Sequence, residues 1–248
     1  MRSTTLVKLI APLALVAACS DSSGPAKRVV SLSFSSTAST ALAAQAAQAP
    51  NFDVTVTVGA NTIVITKAQI VLRKVELKQS EATACPDDEG EHEDCNEVKL
   101  GPMLVDLPLT AGASNGITAS IPEGTYREIE FQIHRPTNRS GDAAFAAANP
   151  NFANASIRIE GTYNGSPFVF TSTMTQAIEL KFEPPVAITA DNQNVTINVD
   201  LTNWFKVNGV VINPTTANPG QPNEQAVNLN IRQSLKAFKD NDHNGRDD

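Results

Sequence analysis

The sequence predicts a mainly β protein, an antiparallel β-sandwich completed by a C-terminal helix. Three observations carry this expectation. Apolar and polar residues alternate over many short stretches, turn residues separate those stretches, and no strand–helix–strand alternation appears between them. Near the end of the chain the apolar spacing changes to that of one helical face.

The chain has 248 residues, enough for one large domain or two small ones. Charged residues make up 18% and aromatics 5%, and Trp204 is the sole tryptophan. The formal net charge is −7 and no basic stripe is present, which argues against a nucleic-acid partner.

Residues 1–18 read as an export signal. Arg2 and Lys8 form a positive start, and Leu9 to Ala17 is an apolar run interrupted only by Pro12. That run is far shorter than the roughly 20 residues a membrane-spanning helix needs. It fits the apolar region of a signal peptide ending in small residues. Leu15-Val16-Ala17-Ala18-Cys19 resembles the lipobox of bacterial lipoproteins, in which the cysteine is lipidated and becomes the new N-terminus. The resemblance implies anchoring at Cys19. Each buried methylene contributes about 0.8 kcal/mol, so several acyl chains hold firmly where one holds marginally. Ser20 follows the cysteine where inner-membrane lipoproteins of this kind carry Asp, so the expected location is the outer membrane, on its periplasmic or cell-surface face. Cleavage would also remove Arg2 and Lys8, making the mature chain more acidic.

Residues 19–51 read as a lipidated tether, a short strand and a linker. Ser20 to Lys27 is small and polar, as a tether requires. Val30 to Ser35 alternates cleanly and predicts a strand, which the following low-complexity stretch, Ser36 to Pro50, leaves open to being detached from the main fold.

Residues 52–212 read as the sandwich. Phe52, Val54, Val56 and Val58 line one face, Gly59-Ala60-Asn61 turns, and Thr62 to Thr66 returns. The buried parity then switches near Arg73-Lys74, which predicts a bulge. Further strands are expected at Val98–Leu100, Met103–Leu107, Ile117–Ile121, Tyr126–His134 and Ser156–Tyr163. Others are expected at Pro167–Thr173, Ala177–Phe182, Val186–Thr189 and Val195–Leu201. Asn164-Gly165 predicts a tight hairpin and Pro122-Glu123-Gly124 another turn. Arg135–Asn154 and Asn213–Asn223 are polar and read as long loops.

In residues 213–248, Val227, Ile231, Leu235 and Phe238 share one face of a helix expected over Glu224–Lys239. The chain closes on Asp240-Asn241-Asp242-His243-Asn244-Gly245-Arg246-Asp247-Asp248. This D-x-D-x-N-G-x-x-D run resembles the first nine positions of an EF-hand or related calcium loop. Alternate oxygen ligands wrap a hard cation, and glycine at the sixth position permits the sharp turn. The resemblance implies side-chain ligands at Asp240, Asp242 and Asn244, a backbone carbonyl at Arg246, and a direct or water-mediated ligand at Asp248. No glutamate occupies a twelfth position, so waters or other groups would complete the shell, and affinity should be weak, on the order of 10⁻⁴ to 10⁻³ M. Calcium is the one cofactor the sequence suggests.

Three other groups of residues are weaker. Cys85 and Cys95 flank six carboxylates and His92; in an exported chain with Cys19 acylated they are expected to form one disulfide beneath a solvated acidic loop. Gly112-Ala113-Ser114-Asn115-Gly116 matches G-x-S-x-G, yet an alternating strand follows it where a nucleophile elbow needs a helix. Tyr126, Tyr163 and Trp204 are expected in the core or at its rim, with Trp204-Phe205 capping one end of the sandwich.

One broader resemblance covers residues 52 to 201. Ile65-Thr66-Lys67-Ala68-Gln69-Ile70-Val71-Leu72, then Leu104-Val105-Asp106-Leu107, then Ile121-Pro122-Glu123-Gly124-Thr125-Tyr126-Arg127-Glu128-Ile129, occur in that order. With the lipobox, this pattern resembles a bacterial exported-lipoprotein family catalogued as a domain of unknown function. It implies a β-sandwich of immunoglobulin or transthyretin type on the cell envelope, with no catalytic residue to carry over. The acidic cysteine loop and the helix-plus-Asp tail depart from it. The expectation is a non-enzymatic, membrane-anchored binding or structural module. An adhesin or pilus-like subunit and an envelope hydrolase are the rivals; an unpaired apolar edge strand would favour the first, a histidine beside Ser114 the second.

Overall fold

The computed structural model describes residues 26–36, 53–79, 97–98, 101–110, 112–191 and 194–248. Cys19, Cys85, His92 and Cys95 lie outside them, as does the linker after Ser36. The described strands are β1 (Lys27–Ser36), β2 (Val54–Val58), β3 (Asn61–Gln79), β4 (Glu97–Val98), β5 (Met103–Asp106), β6 (Ala113–Pro122) and β7 (Gly124–Ile133). After helix α1 (Ala143–Ala148) come β8 (Ile157–Tyr163), β9 (Ser166–Ser172), β10 (Gln176–Ile188), β11 (Asn194–Val199), β12 (Lys206–Val207) and β13 (Val210–Val211). Helix α2 (Glu224–Gln233) and strand β14 (Leu235–Lys239) end the series.

The protein is mainly β, with two principal sheets, mostly antiparallel, and a short C-terminal helix. The first sheet runs β14-β11-β1-β6 and the second is built on the long strand β3. Along one side of β3 lies β8, paired with Ile63–Ile70, and then β7, paired with Leu72–Gln79. The opposite side takes β2, β5 and β4 in succession. The change of partner coincides with the parity switch. Lys74 adopts φ 57° and the register with β7 slips between Arg73 and Val75, so Val75 and Leu77 stay buried after the bulge. The hairpins at Gly59 and Asn164-Gly165 also form where expected, with Asn164 at φ 49° and Gly165 at φ 80°.

Strand β1 is integral to the fold. It pairs in parallel with β11 and antiparallel with β6, so Val30, Leu32 and Phe34 sit in the core. They meet Ile117, Ala119 and Ile121 from β6 and Val195, Ile197 and Val199 from β11 in the same apolar cluster as the β3 side chains. The chain crosses from the first sheet to the second at Glu123. Tyr126, fully buried, fixes this corner: its hydroxyl donates to the Pro122 carbonyl (2.8 Å) and accepts from Gln79 Nε2 (3.3 Å). Burial pushes its phenol pKa up.

Two expectations are corrected. The C-terminal helix stops at Gln233, and Leu235 and Phe238 belong to β14 instead. Pairing β14 with the edge of β11 satisfies a row of backbone groups that a longer helix would leave open, and tertiary pairing overrides the local period. The polar stretch after His134 is not wholly loop, since it contains α1 and a 3₁₀ turn at Pro150–Phe152. Trp204 and Phe205 are buried as expected. The Trp204 indole N–H donates to Ser234 Oγ (2.7 Å), and Phe205 meets Phe168 and Phe170 edge-on.

Candidate functional site

The C-terminal loop lies on the outer face of the first sheet. In β1 the parity that sends Val30, Leu32 and Phe34 inward sends Ser31, Ser33 and Ser35 outward; in β11 it sends Asn194, Thr196 and Asn198 outward. Such a face would ordinarily meet water. Here Ser33, Ser35, Asn194 and Thr196 are buried beneath residues that follow β14.

A continuous hydrogen-bonded layer replaces the lost water. Ser33 Oγ donates to Asn194 Oδ1 (2.8 Å), and the Asn194 amide donates to Thr196 Oγ1 (3.3 Å) and to the Asp240 carbonyl. Thr196 Oγ1 donates to Asp240 Oδ2 (2.7 Å), and Asn198 Nδ2 donates to Ser35 Oγ (2.8 Å). His243 Nδ1 lies 3.4 Å from Ser33 Oγ. Satisfying each buried polar group offsets its desolvation, which otherwise costs about 1–3 kcal/mol.

Asp240 is fully buried and organises the loop. Its Oδ1 accepts from Asn244 N (3.0 Å) and its Oδ2 from Gly245 N (3.0 Å) as well as from Thr196. Asp242 accepts from Asn244 N (3.1 Å) and Asn244 Nδ2 (2.7 Å), and these bonds, the backbone one foremost, hold its carboxyl below the ordinary range. Asn244 Oδ1 accepts from Arg246 N (2.8 Å). Asp248 folds back to the loop entrance, where its Oδ2 accepts from Asn241 N (2.8 Å) and lies 3.7 Å from Lys239 Nζ. Gly245 turns at φ 80°, with a Cβ at that position 3.1 Å from the Gly112 carbonyl carbon and from Ser35 Cβ.

One carboxylate oxygen from each of Asp240, Asp242 and Asp248 falls within 4.8 Å of the others. The candidate ligands Asp240, Asp242 and Asp248 are therefore brought together, Asn244 points back onto Asp242, and Arg246 contributes a backbone N–H bond on the same turn.

A second acidic group gives a useful contrast. Glu128, Glu130 and Glu179 also converge, on the second sheet, but Lys78 Nζ stands among them at 2.8, 2.9 and 4.0 Å. Hydrogen bonds to Glu128 and then Glu130 raise the lysine pKa. There the cation is supplied by the chain. In the Asp240 loop, among the described residues, Lys239 pairs with Asp248 and no lysine stands between the three carboxylates, so a divalent cation would relieve their repulsion.

Ser114 lies on strand β6 and its Oγ donates to the Phe34 carbonyl (3.3 Å). The strand expected after the G-x-S-x-G motif in fact begins at Ala113 and takes in the serine, so the setting is not a strand-to-helix elbow. His134 is buried just beyond β7. Its Nε2 lies 3.0 Å from Asp142 Oδ2, which also accepts from Thr137 N (3.0 Å) and Thr137 Oγ1 (3.1 Å). The sequence did not reveal this pair, because Asp142 sits in a polar stretch with no periodicity. Two of the outer strands are blunted: β6 carries an extra residue, Gly116, opposite β1, and Asn218 caps the backbone of β9 at Thr171 N (2.9 Å) and Val169 O (3.4 Å). No helix among the described residues is long and apolar enough to cross a membrane.

No family model matches the chain, and no curated protein matches it. Among solved structures, MbnP from Methylosinus trichosporium is similar with a TM-score of 0.42 and 12% identity, covering 81% of this chain and 87% of that one.

Proposed function

We propose that the protein is an exported, lipid-anchored, non-enzymatic binding or structural module of the bacterial outer membrane, stabilised by a calcium ion in its C-terminal loop. The convergence of Asp240, Asp242 and Asp248 without a central lysine supports the calcium assignment. Oxygen-only ligands in a D-x-D-x-N-G run favour a hard cation over a transition metal. The Leu15–Cys19 segment supports the anchor.

Calorimetric titration of the mature chain with calcium tests the reading, with Asp242→Ala/Asp248→Ala as the control. Binding heats that vanish in the double variant are expected; equal heats would end the calcium assignment. Mass spectrometry of the mature N-terminus tests the anchor separately. An acylated Cys19 is expected, and an unprocessed Met1 would refute it.

A further inference from the structure

Beside the loop, the outer face of the first sheet carries a cleft of about 280 Å³ lined by Ser31, Thr118, Asp191, Asn194, Asn241 and His243. Val29, 63% exposed, adds an apolar patch at its rim. Thr118 on β6 is the direct register partner of Ser31 on β1, and Asn194 on β11 is the partner of Ser31 on its other side. Two hydroxyls and an amide thus stand in one row across three strands, spaced about 4.8 Å apart by the ladder.

These groups differ in what they have left to offer. The Asn194 side chain is committed to Ser33, Thr196 and Asp240. Among the described residues, Ser31 Oγ, Thr118 Oγ1 and the Asp191 carboxylate make no hydrogen bond. Asn241 and His243 form the far wall, and the Asp240 network holds that wall in place.

The lining selects by chemistry. Among the described residues its lining contains no lysine or arginine, so an anion would meet Asp191 with no compensating cation. An apolar ligand would strip water from two hydroxyls and a carboxylate without replacing it. A neutral polyol both donates and accepts at each hydroxyl, which suits hydroxyl groups that do the same and a carboxylate that accepts twice. The volume is just below the roughly 300–1,000 Å³ usual for ligand sites, room for one ring.

We infer that this cleft binds a neutral saccharide, with Ser31, Thr118 and Asp191 as its hydrogen-bonding residues and Val29 against the ring. The inference names a ligand class for the binding-module reading above and is independent of the calcium ion.

Saturation-transfer NMR on the mature chain tests it, using glucose, galactose, mannose, N-acetylglucosamine and their β-linked disaccharides, each at roughly 10 mM to detect weak sites. Glucosamine and glucuronate serve as charged probes. At least one neutral sugar is expected to show transfer that persists in chelator. Its affinity should fall about tenfold in Ser31→Ala and in Thr118→Val, each of which removes one hydrogen bond. Both variants should melt with the parent protein, because neither hydroxyl is used in the fold. Silence across the neutral panel, a preference for a charged probe, or unchanged affinity in both variants would overturn the inference. Calcium heats without sugar binding would sink it alone; sugar binding without calcium heats would sink only the calcium assignment.

Discussion

The carboxylate of Asp240 accepts a 2.7 Å hydrogen bond from the Thr196 hydroxyl, and so joins the C-terminal loop to an interior strand of the first sheet. Neither residue is accessible to water. The acidic tail is therefore part of the packed structure and not a solvated appendage.

Removing that bond should be costly. Thr196→Val keeps the shape of the side chain and leaves a buried carboxylate short of a donor, so a loss of about 1.5–3 kcal/mol is expected in urea denaturation. Asp242→Ala alters an exposed side chain and removes its two bonds to Asn244, so the calcium-free protein should lose little stability. On the calcium reading it should also abolish the rise in melting temperature expected on adding calcium, since only ligand bound to the folded state contributes such a rise.

Stability should carry a signature of Asp142 in acid. Burial alone would raise the Asp142 carboxyl, but hydrogen bonds from His134 and from Thr137 outweigh it and hold its pKa below the ordinary 3.8. With the folded pKa depressed, the stabilisation is fully present above the unfolded value and drains away as pH falls through the folded one. Denaturation between pH 5 and about pH 2 should show a shallower loss of stability in Asp142→Asn than in the parent. Parallel curves would show that the carboxylate contributes no pH-dependent stability.

Two glycines are fixed by space and backbone. A Cβ at Gly161 would stand 1.9 Å from the Val64 carbonyl oxygen, next to a second register shift in β3, between Ile65 and Lys67 opposite β8. Gly161→Ala must push the two strands apart, and soluble yield should collapse. Gly245→Ala is strained at φ 80° and crowds Gly112 and Ser35. A loss of about 1–2 kcal/mol and a weakened calcium response are expected, measured by thermal melts with and without the ion.

Tyr126→Phe should cost about 1–2 kcal/mol by removing the hydroxyl that donates to the Pro122 carbonyl and accepts from Gln79 at the sheet-to-sheet corner. Chemical denaturation checks this, and a neutral result would mean that water takes over both bonds.

Much of the fold was legible because alternation reports burial directly. The pattern in β1, the bulge at Arg73-Lys74 and the Asn164-Gly165 turn each rest on local physics and appear as read. What failed was information held by distant partners. Ser33 and Ser35 carry the pattern of a solvated face, and nothing nearby in sequence says that a loop covers them. Leu235 and Phe238 fit a helical step of three, yet Leu235-Lys236-Ala237 also fits a strand, and the exposed flank of β11 decides between them. For the candidate site, the D-x-D-x-N-G spacing identified the acids that converge, while the burial of Asp240 depends on Thr196, 44 residues earlier.

The placement of β1 also dictates an order of assembly. Its hydrogen-bonding neighbour on one flank is β11, and Ser33 finds Asn194 at a sequence separation of 161. A chain delivered N-terminus first must keep Val30, Leu32 and Phe34 waiting until nearly the whole polypeptide has emerged. The β11 flank of β1 is thus closed late, and an aborted translation product would lack the strand that completes the shelter of three buried side chains.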